Sequence, residues 1–237
     1  MQRYFTDKKQ NDAFILTESD SYHVAKVMRM KVGEVVEVVY DSRLFHAKIL
    51  SFDPVCLEVI EEVVDDADLS ISVYLVQSAV KEQKMDYILQ KATELGVCGI
   101  YPYQAERSVV KLNEKWEKKK TRWETIVKEA SEQSKRTKIP KIYDVLNLSD
   151  FKNLEDFDLK ILCTVNEKQE SLKKVLSKAK KGGTMIVIVG PEGGFTTKEE
   201  EEFMKLGFIP TSLGKTVLRT ETASSFILSA LRFIDME

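Results

Sequence analysis

Two glycine-bearing stretches near the C-terminus hold the residues whose types and spacing suit ligand chemistry. The first, Gly190-Pro191-Glu192-Gly193-Gly194-Phe195, follows the apolar run Met185 to Val189. The second, Leu213-Gly214-Lys215-Thr216-Val217-Leu218, leads through Arg219-Thr220-Glu221-Thr222-Ala223 into an apolar helical pattern. Each follows a predicted strand and precedes a predicted helix, the position at which α/β folds bind small ligands. The first loop is not a triphosphate-binding loop, because no Gly-Lys-Ser/Thr closes it and Lys198 comes too late. It is not the dinucleotide fingerprint either, since Glu192 stands where that pattern needs glycine, and a negative charge opposes a phosphate. Adjacent glycines do permit backbone to approach a flat, neutral group such as an adenine. Taken singly, each loop also reads as an ordinary strand–helix turn; the pair favours a ligand site. Arg219 and Glu221 are the charged groups at hand for chemistry. Glu221 equally complements a helix N-terminus, and Arg219 equally grips a phosphate or orients a loop carbonyl.

The elements that must position these loops follow from periodicity. Residues 1 to about 64 are β-rich: Ala13 to Leu16, Glu34 to Tyr40, Leu44 to Phe52 and Val55 to Val63 carry β-branched residues, with Asp41-Ser42 and Asp53-Pro54 as turns. A helix over Ser19 to Met30, ended by Gly33, completes a small barrel. The acidic stretch Val64 to Asp68 reads as a domain boundary, giving domains 1–68 and 69–237. Strands then alternate with helices: Ser70 to Ala79, a helix over Glu82 to Leu95 with Gly96 after it, Cys98 to Tyr103, and a long helix from Glu114 to Lys135. Next come Leu159 to Val165, a helix over about 170–180, and Thr184 to Val189, apolar enough to be buried on both faces. Thr197 with Glu200 predicts a capping box for a helix to Leu206. Phe208 to Leu213 is the last strand, and Thr220 or Thr222 caps the final helix. The second domain is therefore α/β with a mostly parallel sheet.

Composition bounds the rest. With 43% apolar and 31% charged residues the chain reads as globular. No apolar run approaches the ~18 residues of a membrane span, and the polar N-terminus lacks a signal-peptide core, so a cytoplasmic chain without membrane contact is expected. Cys56, Cys98 and Cys163 are too scattered for a disulfide framework, and with only His23 and His46 beside them no metal site is expected. A net charge of −2 does not announce a nucleic-acid binder. The window Arg107 to Lys141, however, holds 12 Lys/Arg against 5 Glu, a local basic track or a solvated helix face.

The two loops together, Gly190-Pro191-Glu192-Gly193-Gly194-Phe195 and Leu213-Gly214-x-x-Val217-Leu218-Arg219-Thr220-Glu221-Thr222-Ala223, resemble the paired signature of the SPOUT (trefoil-knot) methyltransferases. Within these the sequence is similar to the RsmE family, bacterial small-subunit ribosomal RNA uridine-N3 methyltransferases. Upstream matches are Arg3-Tyr4-Phe5, His23 with Val27-x-Arg29-Met30-x-x-Gly33, Lys91 to Val97, Glu106-Arg107-Ser108, and Glu129-Ala130-x-Glu132-Gln133-Ser134-x-Arg136. Tyr22 departs from the histidine often found there. The resemblance implies a PUA-like RNA-binding barrel followed by an α/β domain with a deep trefoil knot over about 185–233. It implies S-adenosylmethionine bound among Val189, Gly190, Glu192, Gly194, Leu213, Gly214, Val217, Leu218, Thr222 and Ala223, with Thr164 a further contact. It also implies a homodimer and 16S rRNA, in the small subunit or its precursor, as substrate.

Uridine N3 carries a weakly acidic proton and is a poor nucleophile until that proton leaves, so the expected help is positioning plus a base or cationic stabiliser. Arg219 and Glu221 are the catalytic candidates. For RNA grip the candidates are Arg3, Lys26, Arg29 and Arg43 from the barrel, and Arg107, Lys135 and Arg136 from the basic window; such contacts set affinity without specifying sequence. Two other function classes compete: a non-catalytic RNA-binding protein that keeps a nucleotide-sized pocket, and a nucleotide-dependent enzyme of doubly wound fold. The last needs a glycine-rich loop after the first strand of the α/β domain, and Lys81-Glu82-Gln83-Lys84 is no such loop.

Overall fold

A computed structural model describes residues 1–65, 68–112, 115–154, 156–167 and 169–235. Asp66 and Ala67, within the acidic stretch expected to divide the domains, and Glu114, expected to open the long helix, lie outside the described residues. The chain divides into two compact units: Met1–Asp68 with Ser131–Lys138, and Leu69–Ala130 with Ile139–Glu237.

The first unit is a curled, half-barrel sheet of β1 (Arg3–Phe5), β2 (Lys8–Gln10), β3 (Ala13–Ile15), β4 (Val35–Tyr40), β5 (Arg43–Ser51) and β6 (Cys56–Val63), in the order β1-β4-β5-β6-β3-β2. Only β1 and β4 pair in parallel. Alternation decides which side is buried: Val36, Val38, Phe45, Ala47, Ile49 and Leu57 point inward to join Phe14 and Leu16. Asp41 and Ser42, with φ of 50° and 59°, make the two-residue hairpin turn whose twist matches the strands it joins. The helix expected from Ser19 to Met30 is instead a short α-helix, α1 (Glu18–Tyr22), followed by a π turn over His23–Val27. That wider turn places Val24 in the core, while the His23 Nδ1 lies 3.0 Å from the Tyr4 hydroxyl.

The second unit is a six-stranded sheet whose every pairing is parallel, ordered β12-β10-β11-β7-β8-β9. Its strands are β7 (Ser72–Ser78), β8 (Gly99–Tyr103), β9 (Lys141–Ile142), β10 (Leu159–Cys163), β11 (Thr184–Val189) and β12 (Ile209–Thr211). Helices α2 (Glu82–Glu94), α3 (Trp116–Gln133), α4 (Leu172–Leu176), α5 (Thr197–Lys205) and α6 (Thr220–Asp235) connect or follow them. β11 shows why its sequence is nearly all apolar. Met185, Val187 and Val189 meet Met85, Ile88, Ile227 and Leu231 on one face. Ile186 and Ile188 meet an aromatic layer of Tyr103, Phe151, Phe195, Phe203 and Phe208 on the other.

Three expectations change. The helix over 170–180 is confined to Leu172–Leu176, because the Lys178 and Ala179 N–H groups bond three residues back, to Val175 and Leu176, and Gly182-Gly183 follows. The capping box of α5 is Thr196 with Glu199, one residue earlier than expected. Thr220 does not act as a helix cap through its hydroxyl, which is engaged with Gln77 and Gly190. Among the described residues no helix is long and apolar enough to cross a membrane.

Candidate active site

From β7 the chain moves to β8 and β9 on one side; it returns at β10 on the other, and β11 fills the gap between β10 and β7. Such a reversal leaves a crevice beyond the carboxyl ends of the strands. Segments just past β10 (Thr164 to Asn166), β11 (Gly190 to Phe195) and β12 (Ser212 to Leu218) enclose a cleft of 270 Å³ there. It contains nine of the expected cofactor residues: Thr164, Val189, Gly190, Gly194, Leu213, Gly214, Val217, Leu218 and Ala223. Glu192 and Thr222 are not part of its wall.

The backbone of both loops depends on glycine. Gly194, at φ +65°, closes a turn by donating its N–H to the Pro191 carbonyl at 2.9 Å, and Gly214 takes φ +127°, closed to residues with a Cβ. Beneath the loops runs a buried polar chain. Gln77, fully buried at the end of β7, donates its amide to the Thr220 hydroxyl (3.0 Å) and accepts from the Ser224 hydroxyl (2.6 Å). With its oxygen accepting from Gln77, Thr220 gives its one proton to the Gly190 carbonyl at 2.7 Å. The central strand, the first loop and the start of α6 are thereby tied together.

Two carboxylates organise the cleft's other sides, and periodicity had missed both roles. Glu200 lines the cleft, accepting from the Thr164 hydroxyl and from the Asn166 amide at 3.1 Å. Glu199 is buried and accepts from the Tyr103 hydroxyl (2.6 Å), the Glu106 N–H (3.0 Å) and the Thr196 N–H (2.9 Å). Burial opposes its charge, but those hydrogen bonds outweigh it and hold the carboxyl below its ordinary range; the same burial and the same carboxylate push the Tyr103 phenol up. A glutamate pair in the first turn after a glycine loop was the available sequence signal.

The charged candidates differ in what they touch. Arg107 is part of the cleft wall and donates from Nη1 to the Gly193 and Phe195 carbonyls at 3.2 and 3.1 Å. These two bonds tie the segment after β8 to the first loop. Glu221 and Glu192 share Lys84 of α2, whose Nζ lies 3.5 Å and 2.9 Å from their carboxylates. Arg219 is exposed and, among the described residues, makes no side-chain hydrogen bond or ion pair. In the first unit, Arg3 and Arg136 are each only 3% exposed. Arg3 pairs with Glu37 and Asp65 at 2.9 Å, and Arg136 with Asp68 at 2.9 Å, so burial and charge pairing remove both from a phosphate-gripping surface. Lys135 joins Arg3 on Glu37, and Arg43 pairs with Glu62. Lys26 and Arg29 remain exposed.

The walls fit the group that the sequence suggests. Val189, Leu213, Leu218 and Ala223 supply apolar surface beside exposed loop backbone, and Glu200 supplies a carboxylate. That set suits a purine carrying hydroxyls and positive charge better than a triphosphate. Among the described residues no cluster suited to a metal ion is found.

Comparison with known proteins defines the class. The RNA methyltransferase domain family matches residues 67–232 and the RNA methyltransferase PUA domain family residues 16–60. The protein is thus of the RNA methyltransferase class, its cleft lying in the matched domain. The ribosomal RNA small subunit methyltransferase E of Bacillus subtilis is 36% identical, covering 98% of this chain and 96% of the relative. That of Mesomycoplasma hyopneumoniae is 33% identical, covering 97% and 98%. The chain belongs to the ribosomal RNA small subunit methyltransferase E family. The Neisseria gonorrhoeae member, solved bound to S-adenosyl methionine, superposes with a TM-score of 0.87 at 27% identity over 99% of this chain and 98% of that one. A Legionella pneumophila protein solved with bound S-adenosylmethionine gives 0.88 at 29% identity, covering 98% and 97%.

Proposed function

We propose that the chain is an S-adenosylmethionine-dependent methyltransferase that modifies N3 of a uridine in the decoding-site region of 16S rRNA, acting as a cytoplasmic homodimer on the small subunit or its precursor. The observation that carries this reading is the cleft formed by the two glycine loops at the carboxyl edge of the parallel sheet, in a chain of this family. The cofactor is held by the backbone from Leu213 to Leu218 and by the first loop at Gly190 and Gly194, with Val189 and Ala223 as apolar floor. When bound, it supplies a methyl group activated on a sulfonium. The protein's own part is to fix the loops through Gln77, Thr220 and Arg107, and to bring the acceptor base to the same edge. Segment 185–233 is proposed to thread as a trefoil knot, which the return of α6 to α2 and to Gln77 supports. Exposed Phe226 and Phe233 on α6 support the dimer. Lys26 and Arg29 contact RNA phosphates.

The test is transfer of labelled methyl from the cofactor to small subunits prepared from cells lacking the modification. Label mapped to uridine N3 is expected. A protein that binds the cofactor by calorimetry yet leaves the rRNA unlabelled would instead be a binding protein.

A further inference from the structure

Three segments enclose the cleft, and the sheet sets their order. Neighbouring strands run β12, β10, β11, so the end of β10 lies between the two glycine loops. A ligand held by both loops crosses that end. Among the described residues of the wall, Glu200 of α5 is the one carboxylate. A glutamate in the first turn of a helix complements the helix N-terminus, but Glu199 already closes the capping box with Thr196. The Glu200 side chain bonds instead to the segment after β10. Its Oε1 accepts from the Thr164 hydroxyl and, at 3.3 Å, from the Asn166 amide. Its Oε2, among the described residues, accepts from that amide alone, at 3.1 Å. The Asn166 N–H donates in turn to the Thr164 hydroxyl oxygen at 3.2 Å, which orders both donors. Among the described residues no lysine or arginine pairs with Glu200.

An ionised carboxylate offers about four lone-pair sites, so Oε2 keeps capacity for a donor that enters the cleft. The cofactor inferred above has a fixed covalent order: adenine, ribose, sulfonium, amino-acid tail. With the adenine against the backbone from Leu213 to Leu218 and the sulfonium at the first loop, the part that crosses the end of β10 is the ribose. Its two adjacent hydroxyls are the donors at that point. We propose, resting on the function inferred above, that Glu200 accepts from the ribose diol of the cofactor, and that Thr164 and Asn166 are positioning residues that aim its carboxylate. A hydroxyl bound to a charged acceptor gains more than one bound to a neutral acceptor. Glu200 therefore makes the cleft selective for a ribonucleoside over its deoxy counterpart. The ammonium of the amino-acid tail, the other cofactor group that suits a carboxylate, lies beyond the sulfonium and away from β10.

The experiment is a calorimetric cycle on the full chain. Wild type, Glu200→Gln and Glu200→Ala are each titrated with S-adenosylhomocysteine, with its 2′-deoxy and 3′-deoxy analogues, and with 5′-methylthioadenosine, which keeps the ribose but lacks the amino-acid tail. Thermal midpoints without ligand show that the variants are folded; Glu200 lies on the half-exposed side of α5, and little change is expected. Wild type should bind at least one deoxy analogue about 10-fold more weakly than the parent. Glu200→Ala should weaken the parent by about the same factor and bring parent and analogue within about 2-fold of each other. Glu200→Gln, which replaces one acceptor oxygen by a donor, should narrow the gap as well. The loss in Glu200→Ala should be as large for 5′-methylthioadenosine as for S-adenosylhomocysteine. A loss confined to S-adenosylhomocysteine would assign Glu200 to the ammonium of the tail and overturn the ribose assignment. So would a deoxy gap that stays the same in both variants, or an equal weakening of parent and analogues with a lowered thermal midpoint, the mark of a purely structural role. A wild type that binds none of these ligands would take the proposed function down too. Binding of the parent with an unchanged deoxy gap sinks the assignment of Glu200 alone.

Discussion

Two buried side chains, neither of them in the wall of the cleft, decide the residue-scale behaviour of the site. Thr220 spends its proton on the Gly190 carbonyl because Gln77 occupies its lone pair. Thr220→Val keeps the shape but removes the partner of the Gly190 carbonyl and one of the two acceptors of the Gln77 amide, its bond to the Ser78 carbonyl remaining, at about 1–3 kcal/mol. Because Gly190 forms the cleft wall, part of that loss should appear as cofactor affinity weakened about 10-fold, with Thr220→Ser close to wild type; calorimetry beside thermal melts reads both. Glu199 is the second. Its folded carboxyl is held below its ordinary value of 4.5, so its contribution is fully present above that value and is lost as pH falls through the lower folded one. Glu199→Gln should therefore be less stable at neutral pH and flatter as pH falls through 4.5 and below, which urea midpoints measured along that fall would show. The glycine loops were legible because their residue types are restrictive. Gln77 was not: a glutamine at the end of an apolar strand carries no pattern, and its role arises only when residues 143 positions away fold onto it.

At the scale of elements, periodicity recovered what burial on one or two faces writes into sequence. β11, read as buried on both faces, lies between two layers of the core, and the face of α2 that carries Met85, Ile88, Leu89 and Ala92 is the buried one. It failed where an element is too short to show a period. β1, β2, β9 and the tight helical turn at Leu148–Asn153 were all missed, though Phe151 in that turn belongs to the aromatic layer. It failed too where charge was read without a partner. Arg107, counted into a basic window, is the clamp between the segment after β8 and the loop after β11. Arg107→Ala should release the Gly193 and Phe195 carbonyls, raise the cofactor Kd about 10-fold, and speed amide exchange across 190–196 while leaving that of α2 unchanged. Equal protection of that loop in the variant would mean that Glu199 and Thr196 suffice to hold it.

Across the whole molecule, the basic window proves to be divided between the two units. Ser131–Lys138 belongs with the N-terminal sheet, and there Lys135 and Arg136 are charge-paired while Lys138 is exposed. Lys135 pairs with Glu37, its backbone carbonyl accepts from Arg3 at 2.5 Å, and Arg136 and Thr137 both donate to Asp68. Net charge along a sequence cannot distinguish such a buried lattice from a phosphate-binding track, because the carboxylates that neutralise it are up to 98 residues away. Charge reversal separates the two. Arg136→Glu places two like charges together in a buried site and should cost about 3–5 kcal/mol, lowering the thermal midpoint before any RNA is added. Arg29→Glu changes an exposed residue after the π turn, so the midpoint should hardly move while affinity for small-subunit RNA falls and its salt dependence flattens by about one charge contact. Cofactor affinity measured on the folded protein should survive both changes, since the cleft draws all its walls from the other unit. Were Arg136→Glu to keep its stability and lose only RNA binding, the buried pairing would be dispensable, and the charge on Arg136 would serve the RNA after all.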